Sequence, residues 1–524
     1  MHAAATALFA IVAFAGCRSN DSKQLLSHTQ KASFALTSDP ETFDPRIAQG
    51  LPAGNIMHML FEGLTKVDSN GSVLAGAADQ ISVSPDMKTY TFVLKDSKWS
   101  NGDPVLAHDF SYSWRSQIKN QSAHSYLFSV IKGVGVSNDK PGITVVDEKT
   151  LQIELKEPTP YFLQLVATQA YFPVHRSWTE EHPDFTVDSQ LACISNGPFQ
   201  LHSYEPHGNI TLRKNEQYWN NALVALQEVN FALSDDKQAF TTFKDRRLDW
   251  VGNPFTALSK EEIAILTEKK ELESKPAFAT AFVQINVTKD FFKDAAIRKA
   301  IALSIDTNKI VREAMSAGEI QASSFVPPGL GLAAPKEALR FDSALAKTEF
   351  ASARNQQPGT ELPTATLLYA KTARTDAIAA IIQSNLRDAL GIELTLDGVE
   401  SDEYLKKLVA RDYSLALNSW MAEYYDPMSY LSLFSSATNG INTTGWSDKA
   451  YSALLYQSSA QMDQAKRFEL LNQAQEILMQ QMPIISLFHF SSTFGKSASL
   501  EGVFLSPLAI VELNTAFQKN ITGG

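Results

Sequence analysis

A short segment rich in aromatic and acidic side chains is the part of the chain best suited to binding a ligand. Carboxylates attract cations, and aromatic rings bind both cations and apolar groups. The segment therefore predicts a site for a ligand that is cationic and partly apolar. Its residues, in chain order, are Asn418, Ser419, Trp420, Met421, Ala422, Glu423, Tyr424, Tyr425, Asp426 and Pro427.

The chain lacks the spacing patterns of common catalytic and metal sites. No HExxH, CxxC, GxSxG or P-loop pattern occurs. The glycine pairs at 133–135 and 329–331 lack the third glycine of a dinucleotide site, and the turn that begins at Asp68 lacks the final glutamate of a calcium loop. The ten histidines are scattered, and His202 and His207 are the nearest pair. We therefore predict a protein that is not an enzyme and that needs no metal or other cofactor.

Composition describes a folded protein with an acidic surface. The chain has 524 residues, of which 44% are hydrophobic and 20% charged, and its formal net charge is −11. These values exclude disordered and fibrous classes. No run of five like charges occurs, so we expect neither nucleic acid nor a polybasic membrane contact among its partners. The length predicts about three domains.

The amino terminus predicts export and lipid attachment. Residues 3–16 carry no charge, and as a helix they would span only about 21 Å of a bilayer core that is roughly 30 Å thick. Residues 1–16 are therefore predicted to be a signal peptide. The sequence that ends in Cys17 resembles a bacterial lipobox, so Cys17 would carry the lipid, residues 17–30 would form a tether and Cys193 would lack an intramolecular partner. The alternative is a buried apolar amino-terminal segment.

Alternating strands and helices precede the ligand segment and must position it. Strand–helix alternation of this kind predicts a right-handed parallel sheet, whose ligands bind beyond the carboxyl ends of the strands. Residues 418–427 are accordingly predicted to follow the last strand as a loop. The predicted elements are a strand over 364–370, a helix over 375–390 that ends at Gly391, a strand over 392–396, a helix capped by Ser401 and a strand over 413–417.

The earlier part of the chain predicts a mixture of strands and helices. A strand is expected over 32–36, and residues 51–155 are rich in turns. Apolar and polar residues alternate over 89–94 and 150–155, which predicts two half-buried strands. A helix is expected to begin near Asp109. This region is predicted to be α+β.

Several phrases together resemble the family 5 extracellular solute-binding proteins, which are the peptide-binding components of ABC importers. Their order and spacing match the family over residues 32–515. The phrases are DPETFDP from Asp39, LFEGLT from Leu60, KWSNGDPV from Lys98, NGPF from Asn196, YWN from Tyr218, IRKA from Ile297 and the segment from Trp420 to Pro427.

The resemblance implies an α/β fold of the type II periplasmic-binding-protein kind. Two α/β lobes would close on a ligand about a hinge, and an extra α+β domain would be added. The first lobe would comprise residues 30–62, 185–283 and 500–524, the extra domain 63–184 and the second lobe 284–499. The FEGL and WSNGD phrases are interpreted as structural turns that do not touch the ligand.

The resemblance also implies a function and a set of binding residues. The protein would be the lipid-anchored substrate-binding subunit of an ABC importer, which binds oligopeptides as an added strand and delivers them to the permease and ATPase. Glu423 would pair with the ammonium of the peptide, unless it is merely a solvated loop carboxylate. The other expected contacts are Gly50 and Leu51 in the first lobe, Asn418, Ser419, Trp420 and Met421 in the second, and Tyr126 in the extra domain.

Some positions depart from the family pattern or leave alternatives open. Trp420 either stacks on the first ligand residues or is a core residue. Leu417 and Ser401 replace an arginine and a tryptophan, which would weaken the preference for one peptide length, and Ala279 and Met421 replace a disulfide. Cell-wall muropeptides are the second ligand class, nickel or haem the third, and a surface adhesin is the alternative from another class. We expect a monomer on the periplasmic or cell-surface face of a bacterial membrane.

Overall fold

A computed structural model describes residues 30–68, 70–136, 140–182, 193–315, 318–336, 340–355, 362, 364–437 and 441–520. The signal peptide, Cys17 and nearly all of the tether lie outside these residues, so those predictions stay predictions. None of the described helices is both long enough and apolar enough to cross a membrane.

The first part of the chain alternates short strands with helices. Residues 30–182 contain β1 (Lys31–Leu36), α1 (Leu51–Leu60), β2 (Thr65–Val67), β3 (Val73–Ala75), β4 (Ala78–Val83), β5 (Thr89–Leu94), α2 (Ala107–Asn120), β6 (Ile143–Val145), β7 (Thr150–Glu154), α3 (Phe162–Leu165) and α4 (Arg176–Glu181). A single 3₁₀ segment that matters for the site, Ser125–Val130, follows α2.

The middle part contains the longest strand. Residues 193–315 contain β8 (Phe199–Tyr204), β9 (Asn209–Lys214), β10 (Glu228–Leu233), α5 (Asp236–Lys244), β11 (Trp250–Gly252), α6 (Lys260–Glu268), β12 (Leu272–Ile285), α7 (Ala295–Ser304) and α8 (Thr307–Ala314).

The last part carries the ligand segment. Residues 318–520 contain β13 (Ile320–Gln321), α9 (Ser343–Asn355), β14 (Ala365–Ala370), α10 (Ala373–Leu390), β15 (Leu394–Val399), α11 (Ser401–Val409), β16 (Leu415–Met421), α12 (Met428–Leu431), α13 (Lys449–Ala460), α14 (Gln464–Gln481), β17 (Ile484–Lys496), β18 (Leu500–Glu501), β19 (Phe504–Leu505), β20 (Val511–Glu512) and β21 (Phe517–Gln518).

Three larger sheets organise these elements. One has the order β1-β10-β9-β8, with β1 parallel to β10. A second, antiparallel sheet has the order β4-β5-β7-β6 and lies within residues 78–154. The third has the order β11-β17-β12-β16-β14-β15, with β13 paired to β17. The mixture of parallel and antiparallel sheets with packed helices agrees with the predicted α/β class that includes an α+β part.

The predicted strand and helix pattern around residues 364–417 is confirmed. β14 runs parallel to both β15 and β16. α10 ends at Gly391, whose φ of 67° is the left-handed conformation that glycine adopts most easily. The predicted apolar face of α10 is buried in the core, and it consists of Ile378, Ile381, Ile382, Leu386 and Leu390.

Two local predictions in this region are wrong. Glu400, with extended backbone, is the residue before α11, and Ser401 is already helical, so Ser401 is not the cap. The last strand begins at Leu415 and continues to Met421, whereas it was expected to end at 417. The extension has a physical cause, since antiparallel pairing with β12 continues as far as the partners Ala279 and Met421. Residues 418–421 therefore belong to the strand.

The structural interpretation of the FEGL and WSNGD phrases agrees with their contacts. The Glu62 carboxylate accepts hydrogen bonds from the Tyr218 hydroxyl at 2.7 Å and from the Trp219 indole at 2.6 Å. Trp99 donates to Asp109 at 3.0 Å inside the core. The Glu62 bonds connect two phrases that are far apart in sequence, and the Trp99 bond fixes a local turn against the core.

The predicted domain boundaries stay predictions. Within the described residues, β12 runs through the boundary expected between 283 and 284, and it pairs with β16 and β17 along its length. The α+β sheet β4-β5-β7-β6 lies inside the expected extra domain of residues 63–184.

Candidate functional site

Strand β16 has one edge that is only partly paired with another strand. On one side, residues Leu415 to Met421 pair with β12. On the other side, β14 is in register with β16 only at Leu415 and Ala416, and the Tyr404 hydroxyl donates to the Leu417 carbonyl at 3.0 Å. No described strand pairs with this edge beyond that point. An unpaired strand edge is the structure that accepts an added peptide strand.

A cavity of about 450 Å³ lies beside the end of this strand. Its size is within the range of small-ligand pockets. Residues from the first expected lobe, the extra domain and the second expected lobe all contribute to its lining. The lining residues that matter below are Gly50, Leu51, Gly54, His58, Lys66, His124, Met421, Glu423, Tyr425 and Glu512.

Glu423 lines this cavity, and none of the described cationic side chains forms an ion pair with its carboxyl group. It follows β16 by two residues, and its backbone N–H donates to the Ser429 Oγ at 2.8 Å, which fixes the turn. The Tyr126 hydroxyl donates a hydrogen bond to Glu423 Oε1. Burial raises the pKa of Glu423 to about 8, because a desolvated carboxylate is unfavourable without a cation. The site is therefore prepared for a positively charged group.

Asp426, the other acid of the segment, has a different role. Arg467 of α14 donates to both of its carboxylate oxygens, at 2.7 and 2.8 Å. Both side chains are nearly inaccessible, with 6% and 5% exposed. A two-point charge pair of this kind fixes geometry as well as charge. Asp426 thus anchors the turn after β16 and leaves Glu423 as the acid that faces the cavity.

Trp420 and Tyr126 meet at a smaller neighbouring cavity. This space has a volume of about 100 Å³, and Glu423 also lines it. The Trp420 indole donates to the Ser429 carbonyl at 2.9 Å, so its ring is held at the strand end. Tyr126 reaches the same place from the 3₁₀ segment after α2. Trp420 is partly buried, and its stacking on a ligand stays a prediction.

Gly50 and Leu51 lie on the opposite wall of the large cavity. Gly50 precedes α1 with a φ of 79°, and Leu51 is the first residue of that helix. Leu51 is thus helical, whereas Gly50 lies outside the helix. Met421 lines the same cavity, whereas Asn418 and Ser419 line neither cavity and lie in β16 beyond its pairing with β14.

Several lining residues, including His58, Lys66 and Glu512, were not among the predicted contacts. His58 lies on α1, and burial lowers its pKa to about 4, so its ring is neutral. The positions 51, 54 and 58 share one helical face, so helical spacing from Leu51 could have identified His58. Lys66 and Glu512 are far from every predicted contact in sequence, and no local pattern marks them.

The departures from the family pattern also have defined positions. Leu417 is buried in the core, and Ser401 is exposed at the start of α11. Neither lines a cavity described above, so an altered preference for peptide length stays a prediction. Ala279 and Met421 are direct cross-strand partners, which is the arrangement that the replaced disulfide implied.

The described residues also bear on the alternative of a metal ligand. The described ranges contain no group of three or more His, Cys, Asp or Glu side chains that could hold a metal ion. Cys193 is a buried free thiol, and burial raises its pKa far above the ordinary value.

Comparisons with known proteins agree with this geometry. The model of bacterial extracellular solute-binding proteins, family 5 middle region, matches residues 73–442. The oligopeptide-binding protein OppA of Bacillus subtilis is 31% identical over 92% of each chain. The periplasmic murein peptide-binding protein MppA of Escherichia coli is 28% identical over 89% of each chain. A solved structure of the latter has a TM-score of 0.80 at 26% identity, over 94% of this chain and 99% of that chain. The predicted type II binding-protein fold is thereby confirmed.

Proposed function

The chain belongs to family 5 of the bacterial extracellular solute-binding proteins, and on this basis we propose that it is the substrate-binding subunit of an ABC importer for oligopeptides. The observation that carries the proposal is the position of Glu423. Its carboxyl group lines the cavity without a cationic partner among the described residues, and it follows a strand whose edge is unpaired beyond Ala416. That combination suits a ligand with an extended backbone and a leading ammonium group.

The peptide backbone would pair with the free edge of β16. Residues Asn418 to Met421 would supply main-chain groups from the strand, and Gly50, which lines the cavity together with Met421, would supply a contact from the first lobe. Main-chain bonds are shared by all peptides, so this mode accepts many sequences. Ligand side chains would project into the cavity, where water can adapt to different shapes.

The ammonium of the peptide would bind Glu423. Ionised Glu423 would then gain the cation that it lacks in the free protein, and the Tyr126 hydroxyl would keep the carboxylate in place. A close charge pair removed from water is favourable when both partners are also hydrogen-bonded. Hinge closure of the lobes would complete the enclosure and would hold the peptide until delivery to the permease.

Cell-wall muropeptides are a second candidate ligand class. The similarity to a murein peptide-binding protein over 89% of each chain favours it. Muropeptides present the same backbone and a leading ammonium, together with an extra amine and carboxylate on diaminopimelate. Both ligand classes would use Glu423 in the same way.

The cellular setting follows from the amino-terminal sequence and from the family. We propose that Cys17 carries a lipid anchor after removal of residues 1–16, and that the protein acts as a monomer beside an ABC permease and ATPase, on the periplasmic or cell-surface face of the membrane. We further propose that it binds its ligand without catalysing a reaction. Replacement of Cys17 would release the protein from membranes, and unchanged membrane association would contradict the anchor.

One experiment separates the ligand classes. The protein is purified from its own host, denatured and analysed for released small molecules by mass spectrometry. The proposal expects peptides with free amino termini, and diaminopimelate-containing peptides would favour the murein class. Calorimetry with the identified ligands then measures affinity. Release of only a metal complex, together with no measurable binding of any peptide, would contradict the proposal.

A further inference from the structure

Glu512 places a second carboxyl group in the large cavity, and the proposed function gives it no role. It lies in β20, and it lines the cavity together with Glu423. Its position is fixed by the backbone, since the Val511 N–H donates to the Asn55 side chain at 2.6 Å and β20 pairs with β19. The carboxyl group is therefore a permanent part of the cavity wall.

Glu512 has no partner of its own in the described part of the chain. Its carboxylate makes neither a hydrogen bond nor an ion pair there. The nearby ammonium of Lys66 is engaged elsewhere, because it lies 3.5 Å from a Glu62 oxygen and 5.5 Å from the centre of the Trp219 ring. An acidic group that lines a ligand cavity without a protein partner is available to the ligand.

The charged side chains around Glu512 include more acids than free cations. Lys66 favours the ionised form of Glu512, whereas Asp68 and Glu62 oppose it, and burial is the largest effect. Together they raise the pKa of Glu512 to about 7. Lys95 also faces Glu62, but its ammonium is bound to the carbonyls of Gly76 and Ala78. The three acids Glu512, Glu62 and Asp68 thus lie near two ammonium groups, those of Lys66 and Lys95, that already have partners.

Four other titratable side chains around the cavity are either neutral or hydrogen-bonded within the protein. His58 is neutral because burial lowers its pKa to about 4. His124 Nε2 lies 3.0 Å from the Ala48 carbonyl oxygen. Burial raises the pKa of the neighbouring Tyr425 to about 12, and that of Tyr218 beyond its usual range, so both are neutral. Among the described residues, neither Glu423 nor Glu512 forms an ion pair, although both line the cavity.

We propose that Glu512 is a subsite for a side-chain cation of the ligand, so that preferred ligands carry an ammonium or guanidinium group in addition to the leading ammonium bound by Glu423. This inference rests on the proposed function and narrows its substrate class. The cation could belong to a lysine or arginine of an ordinary peptide, or to the diaminopimelate of a cell-wall peptide. Both present the same chemistry to the carboxylate.

The test compares peptides that differ in one charge. Tetra-alanine is prepared with either lysine or norleucine at position 2, 3 or 4, because norleucine has a similar length but no ammonium. A murein tripeptide that contains diaminopimelate is the third kind of ligand. We expect that at one position lysine binds at least about tenfold more tightly than norleucine, or that the murein tripeptide shows the corresponding advantage over a neutral tripeptide. The E512Q variant should abolish this advantage while it leaves the affinity for the norleucine peptide unchanged.

Controls keep the outcome clear. Glu501→Gln removes an exposed acid that pairs with Lys519 outside the cavity, and it should leave the lysine advantage intact. Retained binding of the norleucine peptide shows that the E512Q variant is folded. Proton release during binding, measured in the parent protein, gives a second readout, since a lysine ligand at pH 7 should release more protons than its norleucine partner.

The outcomes separate this inference from the function on which it rests. Equal affinity for both members of every pair, or an advantage for the cationic ligand that survives in E512Q, would overturn the subsite alone. If the parent protein binds no peptide of any kind, the proposed function and the subsite are both overturned. An advantage limited to lysine peptides or to the murein tripeptide would support the subsite and would identify the source of the cation.

Discussion

The hydroxyl of Tyr126 donates a hydrogen bond to the carboxylate of Glu423, joining residues that are 297 positions apart. Tyr126 lies in the 3₁₀ segment after α2, and Glu423 follows the strand β16. The contact therefore connects two parts of the molecule that both face the cavities. It also holds the carboxyl group toward the space that a ligand would occupy.

Loss of the tyrosine hydroxyl should weaken peptide binding modestly. Tyr126→Phe keeps the ring but removes one donor to Glu423, and a single hydrogen bond contributes about 1 kcal/mol, which corresponds to roughly fivefold in affinity. Calorimetry with a peptide identified for the parent protein measures the change. An affinity equal to that of the parent would show that Tyr126 does not position the carboxylate.

Peptide binding should become weaker as the pH falls below 8. Burial holds the pKa of Glu423 at about 8 in the free protein, and a bound ammonium would lower it, so binding releases a proton. Affinity should therefore fall by up to about tenfold for each pH unit below 8. Above that pH the peptide amine itself loses its charge, since its pKa is about 7.7–8.0.

Calorimetry at pH 7 in buffers of different ionisation enthalpy measures the released protons. A peptide without basic side chains is used, so that Glu512 does not contribute. We expect close to one proton per peptide for the parent and almost none for Glu423→Gln. Equal proton release in both proteins would assign the titration to another group.

Removal of the buried acid Glu423 should stabilise the unliganded protein at high pH. The folded state raises the pKa of Glu423 from 4.5 to about 8, so its contribution to the free energy of unfolding is fully present below pH 4.5 and is lost as the pH rises through 8. Glu423→Gln should therefore exceed the parent by roughly 2–4 kcal/mol at pH 8.5 and differ little at pH 4.5. Urea denaturation measures both values.

The matched control for this stability change is Glu180→Gln. Glu180 is exposed and pairs with Arg176 on the surface of α4, so its replacement should change stability by no more than about 0.5 kcal/mol. A loss of stability in Glu423→Gln at pH 8.5 would contradict the conclusion that Glu423 is buried without a cationic partner.

Breaking the buried pair behind the ligand segment should destabilise the fold. Arg467→Met leaves the Asp426 carboxylate without its two guanidinium donors and without a cation in a nearly inaccessible place. Such a change costs roughly 3–5 kcal/mol. Urea denaturation should show this loss, whereas Arg176→Met, at an exposed pair, should change stability by less than about 1 kcal/mol. Equal effects of the two substitutions would remove the anchoring role of Asp426.

Local patterns predicted the elements that position the site, but not where the strand ends. Apolar spacing and Gly391 sufficed for α10, because its buried face and its left-handed cap are encoded within the helix. The extent of β16 depends on β12, a strand more than a hundred residues earlier, so the pairing to Met421 left no local signal. Ser401 has a capping side chain, yet the helix begins there because Glu400 already provides the extended residue.

The same distinction applies to the residues that we propose to bind the ligand. Glu423 could be identified because the aromatic and acidic residues around it form one continuous segment. Glu512 could not, since it lies in a two-residue strand near the end of the chain and reaches the cavity only through tertiary packing. Its importance depends on the absence of a partner among the described residues, which no composition pattern records.

The most direct test of the central claim, that Glu423 binds the ammonium of the peptide, is a double-mutant cycle. Calorimetry measures the affinity of the parent and of Glu423→Gln for one peptide with a free amino terminus and for the same peptide with an acetylated amino terminus. The account predicts that each single change weakens binding by at least about tenfold, and that the second change adds little once the first is present. Fully additive losses, or unchanged affinity of Glu423→Gln for the free peptide, would contradict it.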